Sequence, residues 1–187
     1  MSFLTRLINT PILLILFIIF LGVLTFKYFR KMFITKPIGN AKEGFKWVIQ
    51  RYGVEYAKQL EQMFRKETAH FKSGQWLRTG TAGMEARSKK FPYGWNSLKE
   101  YANKNGLNEN DFFLVQMTDN HDGRKPYFIG FKETKNSIKF TAWFIFNKRG
   151  GDIVSWYRLP SDETREQRKN YFNSMLKITP RIVNELV

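Results

Sequence analysis

The chain has 187 residues, a net charge of +15 and no cysteine. Without cysteine there are no disulfides and no thiolate metal sites, and two histidines, His70 and His121, are too few for a histidine cluster; no metal or other cofactor is expected. The basic excess attracts polyanions, whether nucleic acid, anionic lipid or an acidic cell-wall polymer, and does not choose among them.

The first predicted element is apolar. Between Arg6 and Lys27 lie 20 residues without a charge, ending in ILLILFIIFLGVLTF from Ile12 to Phe26. That length matches the ~20 residues a helix needs to cross a bilayer. The next residues, Lys27-Tyr28-Phe29-Arg30-Lys31, offer no small-residue cleavage site, so an uncleaved anchor is favoured over a signal peptide. Residues 1–33 are therefore expected to form a transmembrane anchor touching lipid through residues 7–26, with 34–40 as a linker and 41–187 as one domain. The basic residues after the apolar run place that domain on the cytoplasmic side.

Helices are predicted over Ala41–Tyr52 and over Tyr56–Phe71, separated by Gly53. In the second, the apolar positions are Leu60, Met63, Phe64 and Phe71. Glu67 comes seven, four and three residues after the first three and four before the last, which puts it on the apolar face. Lys58, Glu61, Arg65 and Lys66 fall on the solvent face. A desolvated carboxyl holds its proton, as a general acid must. The other reading of Glu67 is a structural acid paired with Lys66 or Arg65.

Residues 72–95 are loop-like, with Gly74, Gly80, Gly83 and Gly94. Asn96 or Ser97 caps a predicted helix to about Lys104, closed by Asn105-Gly106. Strands are expected at 112–117 and 127–131, joined by turn chemistry at 119–125. The pattern IKFTAWFIF from Ile138 to Phe146 reads as a third strand, giving an antiparallel meander. The C-terminus returns to helix over Thr164–Lys177 and briefly after Pro180. The fold class is α+β: an N-terminal transmembrane helix, then a mainly helical domain with a small antiparallel β-meander.

The segments around Glu67 carry a resemblance. Glu67-Thr68 falls late in the second predicted helix, a glycine-rich loop leads to Gly83-Met84, and an aromatic stretch containing Tyr93 precedes the next helix. Over roughly residues 41–105 this resembles the lysozyme-like superfamily, in particular bacterial and phage glucosaminidase and lytic transglycosylase domains. The sequence Glu-Thr-Ala-His at 67–70 departs from the Glu-Ser-Gly-Trp common in that family. The resemblance implies a peptidoglycan-cleaving domain with Glu67 as general acid and Tyr93 supporting the site. Such cleavage requires an acid on the leaving oxygen and stabilisation of an oxocarbenium-like transition state by a second carboxylate or the substrate's acetamido group. Glu85 is the first choice for that carboxylate, ahead of Asp119 and Asp122. His70, Gln75, Trp76 and Trp95 are expected to line a sugar cleft, while Trp143 and Trp156 are expected in the core. The implied setting is a bacterial inner membrane or a phage virion membrane, the latter reconciling a cytoplasmic-side domain with a wall substrate. The alternative is a membrane-anchored basic nucleic-acid-binding or structural virion protein.

Overall fold

The computed structural model describes residues 15, 17, 39–86, 94–118, 123–156 and 165–187. The chain divides into two units, Met1–Thr35 and Lys36–Val187. In the first, Ile15 and Phe17 are helical and exposed.

Two expectations about the membrane are corrected. A span requires about 20 apolar residues in one helix, and among the described residues no helix is long and apolar enough to cross a membrane. The expected transmembrane helix over 7–26 and the single-pass placement are corrected to that statement. Apart from Ile15 and Phe17, that segment lies outside the described residues, as do Tyr93, Asp119, His121 and Asp122.

The second unit is mostly helical. Helix α1, Ala41–Tyr52, and helix α2, Val54–Glu67, follow each other across Gly53. Short α3, Gly74–Thr79, and α4, Gly94–Asn105, precede strands β1, Phe112–Gln116, and β2, Tyr127–Phe131. Helix α5, Thr134–Lys148, comes next, followed by a 3₁₀ turn at Ile153–Trp156. Helices α6, Arg165–Leu176, and α7, Arg181–Asn184, close the chain.

Helix α1 buries Phe45 and Val48 against α5. Gly44 makes this approach close: a Cβ there would lie 3.0 Å from the Cβ of Ile138 and 3.1 Å from the Cα of Lys135. Asn40, just before α1, accepts a 2.8 Å bond from the Lys135 backbone N–H, satisfying one of the donors left open at the start of α5. Phe140 of α5 then packs with Tyr101, Phe131, Trp143 and Phe144 in the middle of the core.

The third strand of the expected meander is overturned, because residues 138–146 lie inside α5. This helix buries residues on every side, including each of 140–145. A helix covered all round shows no 3.6-residue apolar period, and its Ile, Phe, Thr and Trp content imitates a strand. The sheet has two strands, antiparallel, with Phe112 opposite Phe131 and Gln116 opposite Tyr127. An earlier segment extends it at the other edge of β2. Ala86 donates to the Tyr127 carbonyl at 2.7 Å, Ile129 donates to the Met84 carbonyl at 2.9 Å, and Glu85 bridges Phe128.

Helix α2 is the second deep element. Leu60, Glu61, Gln62, Met63 and Phe64 are all buried. The placement of Glu61 on a solvent face is therefore wrong: Glu61 is 0 % exposed. The C-terminal segment covers that side of the helix. Glu61 Oε1 accepts from Arg65 Nε at 2.6 Å and from the Ile182 backbone N–H at 2.9 Å, and Oε2 accepts from the Val183 N–H at 2.8 Å. Gln62 Nε2 donates to the carbonyls of Leu176 and Ile178. Adjacent side chains of one helix thus satisfy backbone groups at the end of α6 and the start of α7.

Candidate functional site

Glu67 is the last residue of α2 and is half-buried. The helix is stopped by Thr68, which is 1 % exposed. Its hydroxyl donates to the Phe64 carbonyl at 2.5 Å and accepts from the Phe71 N–H at 2.9 Å. The backbone then turns left-handed at Ala69, His70 and Phe71, with φ of 48°, 59° and 67°. For L-residues this conformation costs on the order of 1–2 kcal/mol per residue. The cost is offset locally by bonds from His70 N–H to the Arg65 carbonyl and from Lys72 and Ser73 N–H to the Thr68 carbonyl. Packing adds to this: the Phe71 ring lies against Phe64 and Trp76, and the Arg65 guanidinium sits 5.1 Å from its centroid.

On the other side, α6 reaches Glu67. The Tyr171 hydroxyl donates to Glu67 Oε1 at 2.5 Å, and Lys66 Nζ lies 5.1 Å from the Tyr171 ring centroid. Tyr171 is itself buried, so it holds the carboxyl in a fixed orientation. Nothing in the sequence singles Tyr171 out. It is an aromatic in a strongly charged helix, and no local pattern links it to a residue 104 positions away.

The remaining sequence-predicted residues are dispersed. Trp76 is 8 % exposed and edge-on to Phe64, so it belongs to the core under the left-handed turn. Gln75, on α3, packs against Gly83, where a Cβ would meet its Nε2 at 2.6 Å. His70 is exposed on the turn. Trp95, in the first turn of α4, is half-buried, edge-on to Phe112 with Lys99 Nζ 5.8 Å from its ring centroid. Of the expected core tryptophans, Trp143 is buried in α5, while Trp156 is half-buried and donates from Nε1 to the Ala82 carbonyl at 3.2 Å.

Glu85 is placed differently. It is 8 % exposed and sits where the Met84–Ala86 segment bridges β2. Gly94 lies directly against it: a Cβ at position 94 would come within 2.5 Å of the Glu85 carbonyl oxygen, so only glycine lets α4 start there. Oε1 of Glu85 is 3.5 Å from the exposed Arg124 guanidinium. Oε2 is buried and has no hydrogen-bond partner. Glu85 lines a cavity of about 30 Å³ together with Gly83, Met84, Phe144, Arg149, Ser155 and Trp156. Arg149 Nε is likewise buried without a partner.

A second concavity, of about 360 Å³, is lined by Asn96, Ser97 and Glu100 of α4 and by Phe144, Lys148 and Arg149 at the end of α5. Phe144 and Arg149 are walls of both. Glu67 lines neither. The sequence draws attention to Glu85 but not to Arg149, which follows the segment expected as a third strand. In the structure it caps α5, and a cation at a helix C-terminus is favoured by the helix dipole.

The 3₁₀ turn joins the two regions. The Asp152 carbonyl accepts from the Ser155 N–H and hydroxyl, its Oδ1 accepts from the Val154 N–H, and its carboxylate pairs with Arg168 of α6. Helix α6 therefore carries both Tyr171, which holds Glu67, and Arg168, which fixes the turn that lines the Glu85 cavity. Among the described residues no group of three or more His, Cys, Asp or Glu side chains is placed to hold a metal ion. Comparison of the chain with protein-family models, with curated proteins and with solved structures finds no match in any of the three.

Proposed function

We propose that this chain cleaves glycosidic bonds in the glycan strands of peptidoglycan, with Glu67 as the general acid. The observation that carries the reading is local. Glu67 is a half-buried carboxyl, oriented by a buried tyrosine, immediately before Thr68 and three consecutive left-handed non-glycine residues. Strained backbone of this kind persists where the surroundings over-determine it, and it clusters at functional sites. The glycosidase assignment itself comes from the resemblance around Glu67-Thr68 and Gly83-Met84.

In this mechanism Glu67 protonates the leaving oxygen as the sugar ring gains oxocarbenium character. Tyr171 holds the carboxyl in place. The charge that develops on the ring is stabilised by a second carboxylate, for which Glu85 is the candidate, or by the substrate's own acetamido group. The basic surface assists by concentrating an acidic polymer. The nucleic-acid alternative has less support, because most described aromatic rings build the core rather than a stacking surface.

The test is incubation of the purified chain with peptidoglycan, with fragments identified by mass. Anhydro-muramyl ends mark transglycosylation, and reducing ends mark hydrolysis. Glu67→Gln keeps the shape and removes the transferable proton, and general-acid catalysis contributes about 10²–10⁴-fold. Wall cleavage by Glu67→Gln is expected to fall by about that factor with the fold retained. Cleavage near the wild-type rate by a folded Glu67→Gln protein refutes the assignment.

A further inference from the structure

The larger concavity, of about 360 Å³, gathers positive charge that the protein itself leaves unused. Its walls carry two cations, Lys148 and Arg149, and one carboxylate, Glu100. That carboxylate is already held by Lys148 at 2.7 Å and by Lys104 at 2.9 Å. Arg149 is left over. It is half-buried, with its guanidinium carbon 5.6 Å from the Phe144 ring centroid. Among the described residues no carboxylate or carbonyl accepts a hydrogen bond from it. Its Nε is buried and closed to any ligand, so Nη1 and Nη2 are the donors that remain. A guanidinium that rests on an aromatic face presents a planar fork in one orientation, a geometry that suits oxyanions.

The facing wall also offers donors. Asn96 and Ser97 lie in the first turn of α4, Gly94–Asn105. Asn96 is exposed. Ser97 is only 4 % exposed, yet its hydroxyl has no partner among the described residues. A buried polar side chain left open beside a concavity asks for a ligand or a function. The first turn of a helix also favours negative charge. Donors therefore come from two elements, α4 on one side and the end of α5 on the other. A carboxylate presents two coplanar oxygens, which suits one fork. A phosphate presents its oxygens in a tetrahedral array, which donors on two sides can share. The volume falls in the range of small-molecule pockets, and Phe144 supplies an apolar wall for whatever the phosphate carries.

We propose that this concavity binds a small phosphate ester, with the phosphate held by Arg149, Lys148 and the Asn96–Ser97 turn. The proposal stands apart from the glycosidase reading, because Glu67 does not line the concavity.

The test is titration of the full chain at fixed ionic strength with glycerol 3-phosphate, adenosine monophosphate, inorganic phosphate and acetate, read by calorimetry and by the amide NMR signals of Ser97 and Arg149. At least one ester is expected to bind saturably and shift both signals, and the tighter ester identifies the carried group. Acetate is expected to bind at least about tenfold more weakly. Losing a hydrogen bond to a charged group costs about tenfold or more, so Arg149→Lys, which keeps the charge and loses the fork, is expected to weaken ester binding by that factor. Arg149→Gln is expected to weaken it further. Arg51→Gln removes an exposed cation that sits over Trp47 and is expected to leave binding unchanged. Glu67→Gln is expected to bind the ester as wild type does, so failure of the glycosidase reading and failure of this one are told apart. Unchanged ester affinity in a folded Arg149→Gln protein overturns the proposal. So does an equal loss in Arg51→Gln, which reports general charge alone. Acetate binding as tightly as the esters, or binding of inorganic phosphate with neither ester, also overturns it.

Discussion

Glu61 and Glu85 are both buried acids, at 0 % and 8 % exposure, but their surroundings treat them in opposite ways. Glu61 gives both oxygens to named donors: a guanidinium and two backbone N–H groups at the start of α7. Glu85 has one distant contact with an exposed arginine and one oxygen with no partner. Burial alone therefore does not identify a functional acid. A carboxylate whose hydrogen bonds are complete is part of the scaffold, whereas one left incomplete carries a desolvation cost that no bond of the scaffold offsets.

The largest effect that this contrast predicts is at Glu61. Removing one partner from a buried ion pair costs about 3–5 kcal/mol, because the other charge is left uncompensated. Glu61→Ala strands Arg65, whose side chain is 11 % exposed, and releases the two N–H groups of α7. A loss in that range is expected in urea unfolding. A loss under about 1 kcal/mol, the size of an exposed pair, breaks the contrast, since Glu61 is then not a fixture of the fold.

Glu85 is expected to behave in the reverse sense. Glu85→Met removes an unpartnered buried oxygen and fills the space with an apolar chain, while Arg124 stays solvated at 51 % side-chain exposure. Replacing unsatisfied buried polar groups with apolar ones is neutral or stabilising. Stability is expected to stay the same or rise by up to about 2 kcal/mol in the same unfolding assay. A fall of more than about 1 kcal/mol, the net worth of an ordinary hydrogen bond, means that Glu85 is also structural, and the contrast fails from the other side.

This pair of acids also shows where sequence reading succeeds and where it stops. Helices α1 and α4 and the two strands are legible because caps, glycine breaks and short-range patterns are written locally. The end of α2 is not legible: the apolar pattern carries the helix to Phe71, whereas it stops at Glu67 and residues 69–71 turn left-handed. The pattern misplaces Glu61 because its face is covered by α7, whose Ile182 lies 121 residues further along the chain. Helix α5 reads as a strand for a related reason: it is enclosed on all sides, and enclosure erases the period that marks a helix. At the site, Glu85 is readable from its position after Gly83-Met84. Arg149 and Tyr171 are not, because their roles exist only once α5 and α6 have packed. The third bridging segment of the sheet, at Met84–Ala86, is hidden in a glycine-rich stretch that reads as loop.

The smallest predicted effect concerns an acid that is neither completed inside nor left open inside. Glu100 lines the larger concavity and bonds to Lys148 at 2.7 Å and to Lys104 at 2.9 Å. The hydrogen bond from Lys148, then that from Lys104, holds its pKa below the ordinary 4.5. Because the folded state binds the proton less tightly than the unfolded chain, Glu100 contributes stability above the ordinary carboxylate value. That contribution disappears as the pH falls through the depressed folded value. The tie joins α4 to the end of α5, so it supports the wall that holds Arg149. Both partners are solvated, so the effect is small and screened by salt. The urea midpoint of Glu100→Gln is expected to lie slightly below wild type at neutral pH. The two are expected to converge on acidification below the usual carboxylate range, and to converge also at high salt. A difference that widens as the pH falls reverses the sign and removes Glu100 from the supports of the concavity.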